Sequence, residues 1–529
     1  MSRTLILALG LIGLAASAHA QTSGSRAHRW WEDIRILASD HMQGRLTGTV
    51  GYDRAAAFVI ERFQGINLIP QGDSHTFLQE VPFETQSIDQ QASRAELTSA
   101  RGATTRLQVG EDMLISAGGG PRALKYEAPL VFAGYGLHLP QLGYDDFKGL
   151  DVRGRIVVVI SGGPANLPGP AKAAARSERL KFLGQAGAAG LITLTTPQQV
   201  EIPWPRLKLL ASQTGMYLAD AKLRDTPDGL FSATVNPQKA ALLFAGSDQS
   251  FDTLARLADA SAPVPTFPLP QHLRVSVAAT RGRIQSPNLV AKLEGADPTL
   301  KREYVVVSAH LDHLGVGRPI HGDPIYHGAM DDGSGVASVL DIARHLSLGP
   351  RPKRSILFVL FTGEEKGLLG SHYFAERPTV PRDAIVADLN MDMPLPLWPL
   401  HSVIAQGDKE STLGAVAAKV AQEQTLVLLA DPVPDRNSFV RTDQFSFVRA
   451  GIPALAFKFG FPRGSREFEI EHAWRANRYH SPLDNITQPG VLPAEAVKLD
   501  DFIADIAVRA ADDPARPAWL PTSIFRAGS

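Results

Sequence analysis

Past about residue 270 the chain alternates between near-continuous apolar runs and amphipathic stretches, the pattern of buried parallel strands joined by helices. The runs fall at 288–293, 304–308, 355–361, 384–389 and 452–457. Between them, residues 335–346 set Val336, Val339, Leu340, Ala343 and Leu346 on one helical face. This pattern predicts an α/β fold with a mostly parallel mixed sheet flanked by helices. Residues 28–66 carry helical periodicity in two stretches, Trp31, Ile34, Ile36 and Leu37, then Ala55, Phe58, Val59 and Phe63. From about 88 to 265 the texture changes to short strands punctuated by Gly and Pro, at 129–135, 155–160 and 190–195, with a helical stretch at 171–188. That region reads as a separate β-rich domain containing a strand–helix–strand unit. Its Gly-rich segment 184–190 ends a helix and enters a strand, the reverse of the order a phosphate loop requires, so it reads as a helix end.

Composition narrows the chemistry. The 53 basic and 54 acidic side chains balance, so no global field draws the chain to nucleic acid. There is no Cys, which excludes disulfides, thiolate nucleophiles and zinc–thiolate sites; any zinc must be held by His and carboxylates. Arg3, the apolar run Leu5 to Ala16 and the small-x-small site Ala18-His19-Ala20 read as a signal peptide over residues 1–20, which predicts a secreted or periplasmic protein. No comparable apolar run follows, so no membrane span is expected in the mature chain. The expected divisions are 21–87 and 266–515 for the main domain, 88–265 for the insertion, and 516–529 for a surface tail.

In open α/β sheets ligands bind beyond the carboxyl ends of the strands, and there the polar residues cluster. The run at 304–308 leads into His310-Leu311-Asp312-His313, that at 355–361 into Thr362-Gly363-Glu364-Glu365, and that at 384–389 into Asn390-Met391-Asp392. Asp331-Asp332-Gly333-Ser334-Gly335 stands before a helix, and Tyr479-His480-Ser481-Pro482 lies near the domain's end. Singly these have plain explanations: Asp332 and Ser334 could cap the helix, Glu364 and Glu365 could face a helix dipole, and His310 could be a satisfied core histidine. Together they need another. Carboxylates gathered without compensation resist ionisation, and divalent cations remove that conflict. Two His, two Asp and one Glu suit a pair of zinc ions bridged by one carboxylate, with one Glu left free to take a proton from water.

With these motifs in this order, residues 280–490 resemble the M28 family of co-catalytic zinc peptidases, with the helices at 28–66 opening the same domain. The region 88–265, with Gly154-Arg155-Ile156-Val157-Val158-Val159, looks like the protease-associated (PA) domain that many members carry as an insertion. The resemblance implies that Asp331 bridges two zinc ions, His310 and Asp392 complete one site, and Glu365 and His480 complete the other. It further implies Glu364 as general base towards a metal-activated water, Asp312 as the orienter of His310, a cis Asp331–Asp332 peptide, and Tyr479 as a donor to the tetrahedral intermediate. The substrate would be a peptide and the activity exopeptidic, an aminopeptidase by the family's habit.

Rival readings are a carboxypeptidase of the same family, a one-zinc glutaminyl cyclase, and a binding protein on an inactive scaffold. A Ser hydrolase is disfavoured, since no Gly-x-Ser-x-Gly elbow occurs. His313, His321 and His327 read as solvent-facing loop histidines. Residues 436–447, with Arg436 and Arg441, resemble a segment that lines the substrate pocket in that family, and read equally as a solvated loop. Oligomeric state is not encoded in any feature of the chain.

Overall fold

The apolar runs pair side by side, and their register decides where their polar ends emerge. The computed structural model describes residues 24–117, 123–200, 202–226, 228–436 and 438–526, in two compact units. The first comprises the described residues of Met1–Val81, Ser286–Pro432 and Thr442–Ser529. Its elements are a helix at 24–37, α1 (Val50–Gly65), the end of β1 (Thr266–Leu293), β2 (Tyr304–His310), α2 (Gly333–Leu348), β3 (Ser355–Phe361), α3 (Leu369–Glu376), β4 (Ile385–Met391), β5 (Ser402–Gln406), α4 (Leu413–Glu423), β6 (Val427–Leu429), α5 (Gln444–Arg449), β7 (Ala454–Phe459), α6 (Arg466–Asn477) and α7 (Pro493–Asp512).

The strand order is β6-β5-β7-β4-β2-β3-β1. β2 runs parallel to β3 and β4, and β4 parallel to β7, whereas β1 against β3 and β5 against β7 are antiparallel. This is the mixed, mostly parallel α/β sheet expected. Val305, Val306 and Val307 on β2 and Ile356 to Phe361 on β3 are fully buried, which is why these strands read as unbroken apolar runs. His310 lies opposite Phe361, and Ser308 opposite Asn390. The residues that follow β2, β3 and β4 therefore leave the sheet at the same end.

Helix α2 packs on β2 and against α7, burying Val336, Val339, Leu340, Ala343 and Leu346. The first helix buries Trp30 rather than Trp31, because Ala27, Trp30, Ile34 and Leu37 share the stripe that faces the core. Sequence patterning missed the length of β1. Pro268 and Pro270 interrupt its alternation, and its pairing register slips between Pro268 and His272.

In the second unit, Pro82–Gln285 with Val433–Arg441, strands Lys125–Ala133, Ile156–Ile160, Gly190–Leu194 and Phe231–Val235 lie parallel in that order. Val131, Val157, Val159, Leu183 and Leu191 form its core. The helical stretch at 171–188 resolves into two helices, Gly169–Ser177 and Arg179–Gln185. No helix among the described residues is long and apolar enough to cross a membrane.

Candidate metal centre

Each strand end contributes side chains to one buried cluster in the first unit. His310 closes β2, Asp392 follows β4, and Glu364 and Glu365 follow Gly363, whose φ of +68° lets the chain turn sharply off β3. Asp331 arrives on the loop ahead of α2, and His480 on the loop after α6. The Asp331–Asp332 peptide is cis, as the resemblance implied.

Asp331 sits at the centre. Its Oδ1 lies 3.3 Å from His310 Nε2, and its Oδ2 3.2 Å from His480 Nε2. His480 Nε2 is also 3.1 Å from Glu365 Oε2, and His310 Nε2 is 3.9 Å from Asp392 Oδ1. Two overlapping triplets have their donor atoms within 4.8 Å of one another: His310, Asp331 and Asp392, and His313, Asp331 and Glu365. The sequence brought five of these residues forward as ligands; His313 it assigned to solvent. His313 is instead wholly buried, and His327 nearly so, while His321 is exposed as expected.

The electrostatics fit a cation. Among the described residues, His310 Nε2, His313 Nδ1, Asp331 Oδ2, Glu365 Oε1 and Asp392 Oδ1 are all buried without a hydrogen-bond partner, a costly state for polar atoms unless another ligand satisfies them. Burial disfavours charge on His480, but Glu365 and Asp331 outweigh it and push the imidazole up to about 9. Burial likewise opposes ionisation of Asp331, yet His310 and His480 hold it well below the usual carboxylate range. Glu364 behaves oppositely. Burial pushes it well up, His310 pulls against that, and Asp392 and Asp443 add to the rise. Its Oε2 lies 3.9 Å from His310 Nε2, beside the triplets rather than within them.

The supports were only partly legible. His310 Nδ1 faces the backbone carbonyl of Asp312 at 3.0 Å, whereas the Asp312 carboxylate stands 3.8 Å away. That carboxylate accepts from the Glu364 and Glu365 amides at 3.1 and 3.4 Å and from Thr47 Oγ1 at 3.1 Å. It thus holds the turn that carries both glutamates, while its own carbonyl orients the imidazole. Asp332 caps α2 through Gly335 N and accepts from Met393 N at 3.1 Å, tying the helix to the segment bearing Asp392. Asp484 accepts from the amides of Met330 and Asp331.

Arg45 is fully buried and donates to the carbonyls of Leu37, Leu311, His327 and Gly328. A charged residue flanked by turn glycines ordinarily faces water, so nothing in the pattern singled out Arg45. Tyr479 stacks on His480 at 3.8 Å between ring centroids, and the Arg475 guanidinium lies 4.7 Å from the Tyr479 ring centre.

Nitrogen and oxygen donors at these separations, orphaned and buried, suit zinc. Residues 288–500 match the model of peptidase family M28. The fold is similar to that of an aminopeptidase from Aneurinibacillus sp. strain AM-1, at 18% identity and a TM-score of 0.53, covering 93% of this chain and 95% of that one. A vacuolar membrane protease of Clavispora lusitaniae is 38% identical over 94 residues, 18% of this chain and 8% of that protein. A probable zinc metalloprotease of Pyrenophora tritici-repentis is 37% identical over 106 residues, 20% of this chain and 23% of that protein. The chain thus matches a small part of these relatives' length.

These relatives correct one expectation. A secreted or periplasmic location was read from residues 1–20, which lie outside the described residues; the curated relatives matched include several named vacuolar membrane proteases. A short apolar run before a small-residue site is a local hydropathy pattern, and it does not outweigh relatives placed at a membrane by name.

Proposed function

We propose that the chain is an aminopeptidase that holds two zinc ions and removes residues from the amino ends of peptides. One observation carries the reading: Asp331 is shared by two triplets of buried, unsatisfied donors, with a further carboxyl, Glu364, alongside. In this reading His310, Asp331 and Asp392 hold one ion, and Asp331, Glu365 and His480 the other. Bound zinc supplies Lewis acidity, which acidifies water and polarises a carbonyl. Glu364 takes the proton of the attacking water on its carboxylate and delivers it to the leaving amine. Asp312 keeps Glu364 and Glu365 in register through its amide acceptances, and Tyr479 donates to the oxygen on which charge develops. The aminopeptidase direction draws on the Aneurinibacillus enzyme, which shares the fold. The same reading takes 88–265 as a PA-like insertion into a peptidase domain formed by 21–87 and 266–515, with 516–529 as a tail.

The test is a mixed peptide library incubated with the purified protein, with and without a chelator, followed by sequencing of the products. Chelator-sensitive trimming from the amino end is the expected result. Trimming from the carboxyl end would replace the proposal with a carboxypeptidase, and cyclisation of amino-terminal Gln with a glutaminyl cyclase.

A further inference from the structure

His313 has no part in the ligand set that the motifs implied, yet it is the least explained residue of the centre. Its side chain is wholly buried, and among the described residues neither ring nitrogen meets an aligned hydrogen-bond partner. Leaving both nitrogens of an imidazole dry and unpaired costs on the order of 1–3 kcal/mol for each, so the ring needs a partner of another kind. Its Nδ1 stands 2.7 Å from Glu365 Oε1 and 3.9 Å from Asp331 Oδ2. Both of those oxygens also lack hydrogen-bond partners. One donor atom from each of His313, Asp331 and Glu365 lies within 4.8 Å of the others, the grouping that a single ion would hold.

The backbone holds the ring there. Gly328, at φ +62°, lies so near that a Cβ would stand 2.7 Å from the imidazole carbons. Arg45 receives the His313 amide on its carbonyl at 3.2 Å, while its guanidinium binds the carbonyls of Leu311 and Gly328 on either side.

We propose that His313 is itself a ligand, donating Nδ1 to the divalent transition-metal ion held by Asp331, Glu365 and His480, so that this ion carries two imidazoles and the other carries one. The inference rests on the two-ion reading above. If it holds, the two sites differ: the ion with the added nitrogen is the more tightly held and the more demanding of softer metals, and the His310 and Asp392 site exchanges first.

The experiment uses the full chain loaded with Co2+ in place of zinc. Proton NMR of the wild type in light water is expected to show three exchangeable, hyperfine-shifted imidazole N–H signals, one each for His310, His313 and His480; two signals would overturn the proposal without any variant being made. In parallel, His313→Gln and His313→Ala are measured by equilibrium dialysis against zinc and by the visible absorption of their Co2+ forms. The expected result is one ion bound more than about 100-fold more weakly, beyond the roughly 10–100-fold that losing an outer partner costs, with the other ion unchanged and the Co2+ bands altered. A smaller loss with unchanged bands makes His313 only an outer partner of Glu365 and ends the proposal. Failure of the wild type to bind two ions would instead sink the two-ion reading, and is seen separately in the wild-type stoichiometry.

Discussion

Two adjacent glutamates, Glu364 and Glu365, meet opposite fates, and the difference is made by neighbours rather than by residue type. Glu365 lies against His480 and His313, which hold its carboxyl far below the ordinary range against the pull of burial. Glu364 is buried beside Asp392 and Asp443 and is pushed up. A carboxyl that ionises reluctantly is suited to carry a proton; one that is always ionised is suited to hold a cation. Glu364→Gln is therefore expected to retain zinc by metal analysis while turnover falls by about 10²–10⁴-fold; loss of the metal together with activity would make Glu364 a ligand.

His480 gives the pH dependence. In the metal-free protein its pKa is raised from 6.5 to about 9, so its charged form stabilises the fold fully below pH 6.5, and that contribution is lost as pH rises through about 9. A cation must displace this proton. Affinity for the ion that His480 holds should climb with pH by about tenfold per unit below 9, with proton uptake by the buffer visible in titration calorimetry; a flat profile would contradict the assignment.

Among the elements, the turn after β3 shows how a strand end is held in place. Thr362 N donates to Asn288 Oδ1, Gly363 N to Thr47 Oγ1, and the Asn288 amide to the Gly370 carbonyl at the start of α3. A Cβ at Gly370 would press into the Thr362 carbonyl oxygen and stand 2.5 Å from Asn288 Oδ1. Gly370→Ala should destabilise by about 1–3 kcal/mol through overpacking, read as a lower urea midpoint. It should also lower kcat, because the displaced turn carries Glu364. Unchanged activity at a lowered midpoint would separate the turn's geometry from catalysis. At this scale β2 and β3 were legible, since Val305, Val306 and Val307 or Leu357, Phe358 and Val359 have no solvent face to break the run. Strand β1 was legible only near its end, because its prolines and polar positions obscure the alternation.

For the whole molecule, metal and fold are linked. Carboxylates and imidazoles from β2, β3, β4 and two loops converge on one centre, and several of their buried atoms have no hydrogen-bond partner among the described residues. A ligand that binds only the folded chain stabilises it by about 4 kcal/mol at a thousand times its Kd. Chelation should therefore lower the melting temperature as well as abolish hydrolysis, and added zinc should restore both. An unchanged melting curve on chelation would show the cluster to be self-sufficient.

Local patterns in the chain already determined that strands would end in acidic and histidine motifs and that these lay on an α/β scaffold, while the family resemblance put forward His310, Asp331, Glu365, Asp392 and His480 as the donors to consider. Periodicity and motif spacing are carried by neighbours in sequence, so they survive without coordinates. Only the tertiary structure decided that His313 turns inward, that Arg45 binds four carbonyls beneath the centre, and that Asp312 grips the glutamate turn with its carboxylate while its carbonyl faces His310. Burial and hydrogen-bond partnership are properties of what packs against a residue, and for these three the partners come from segments up to hundreds of positions away.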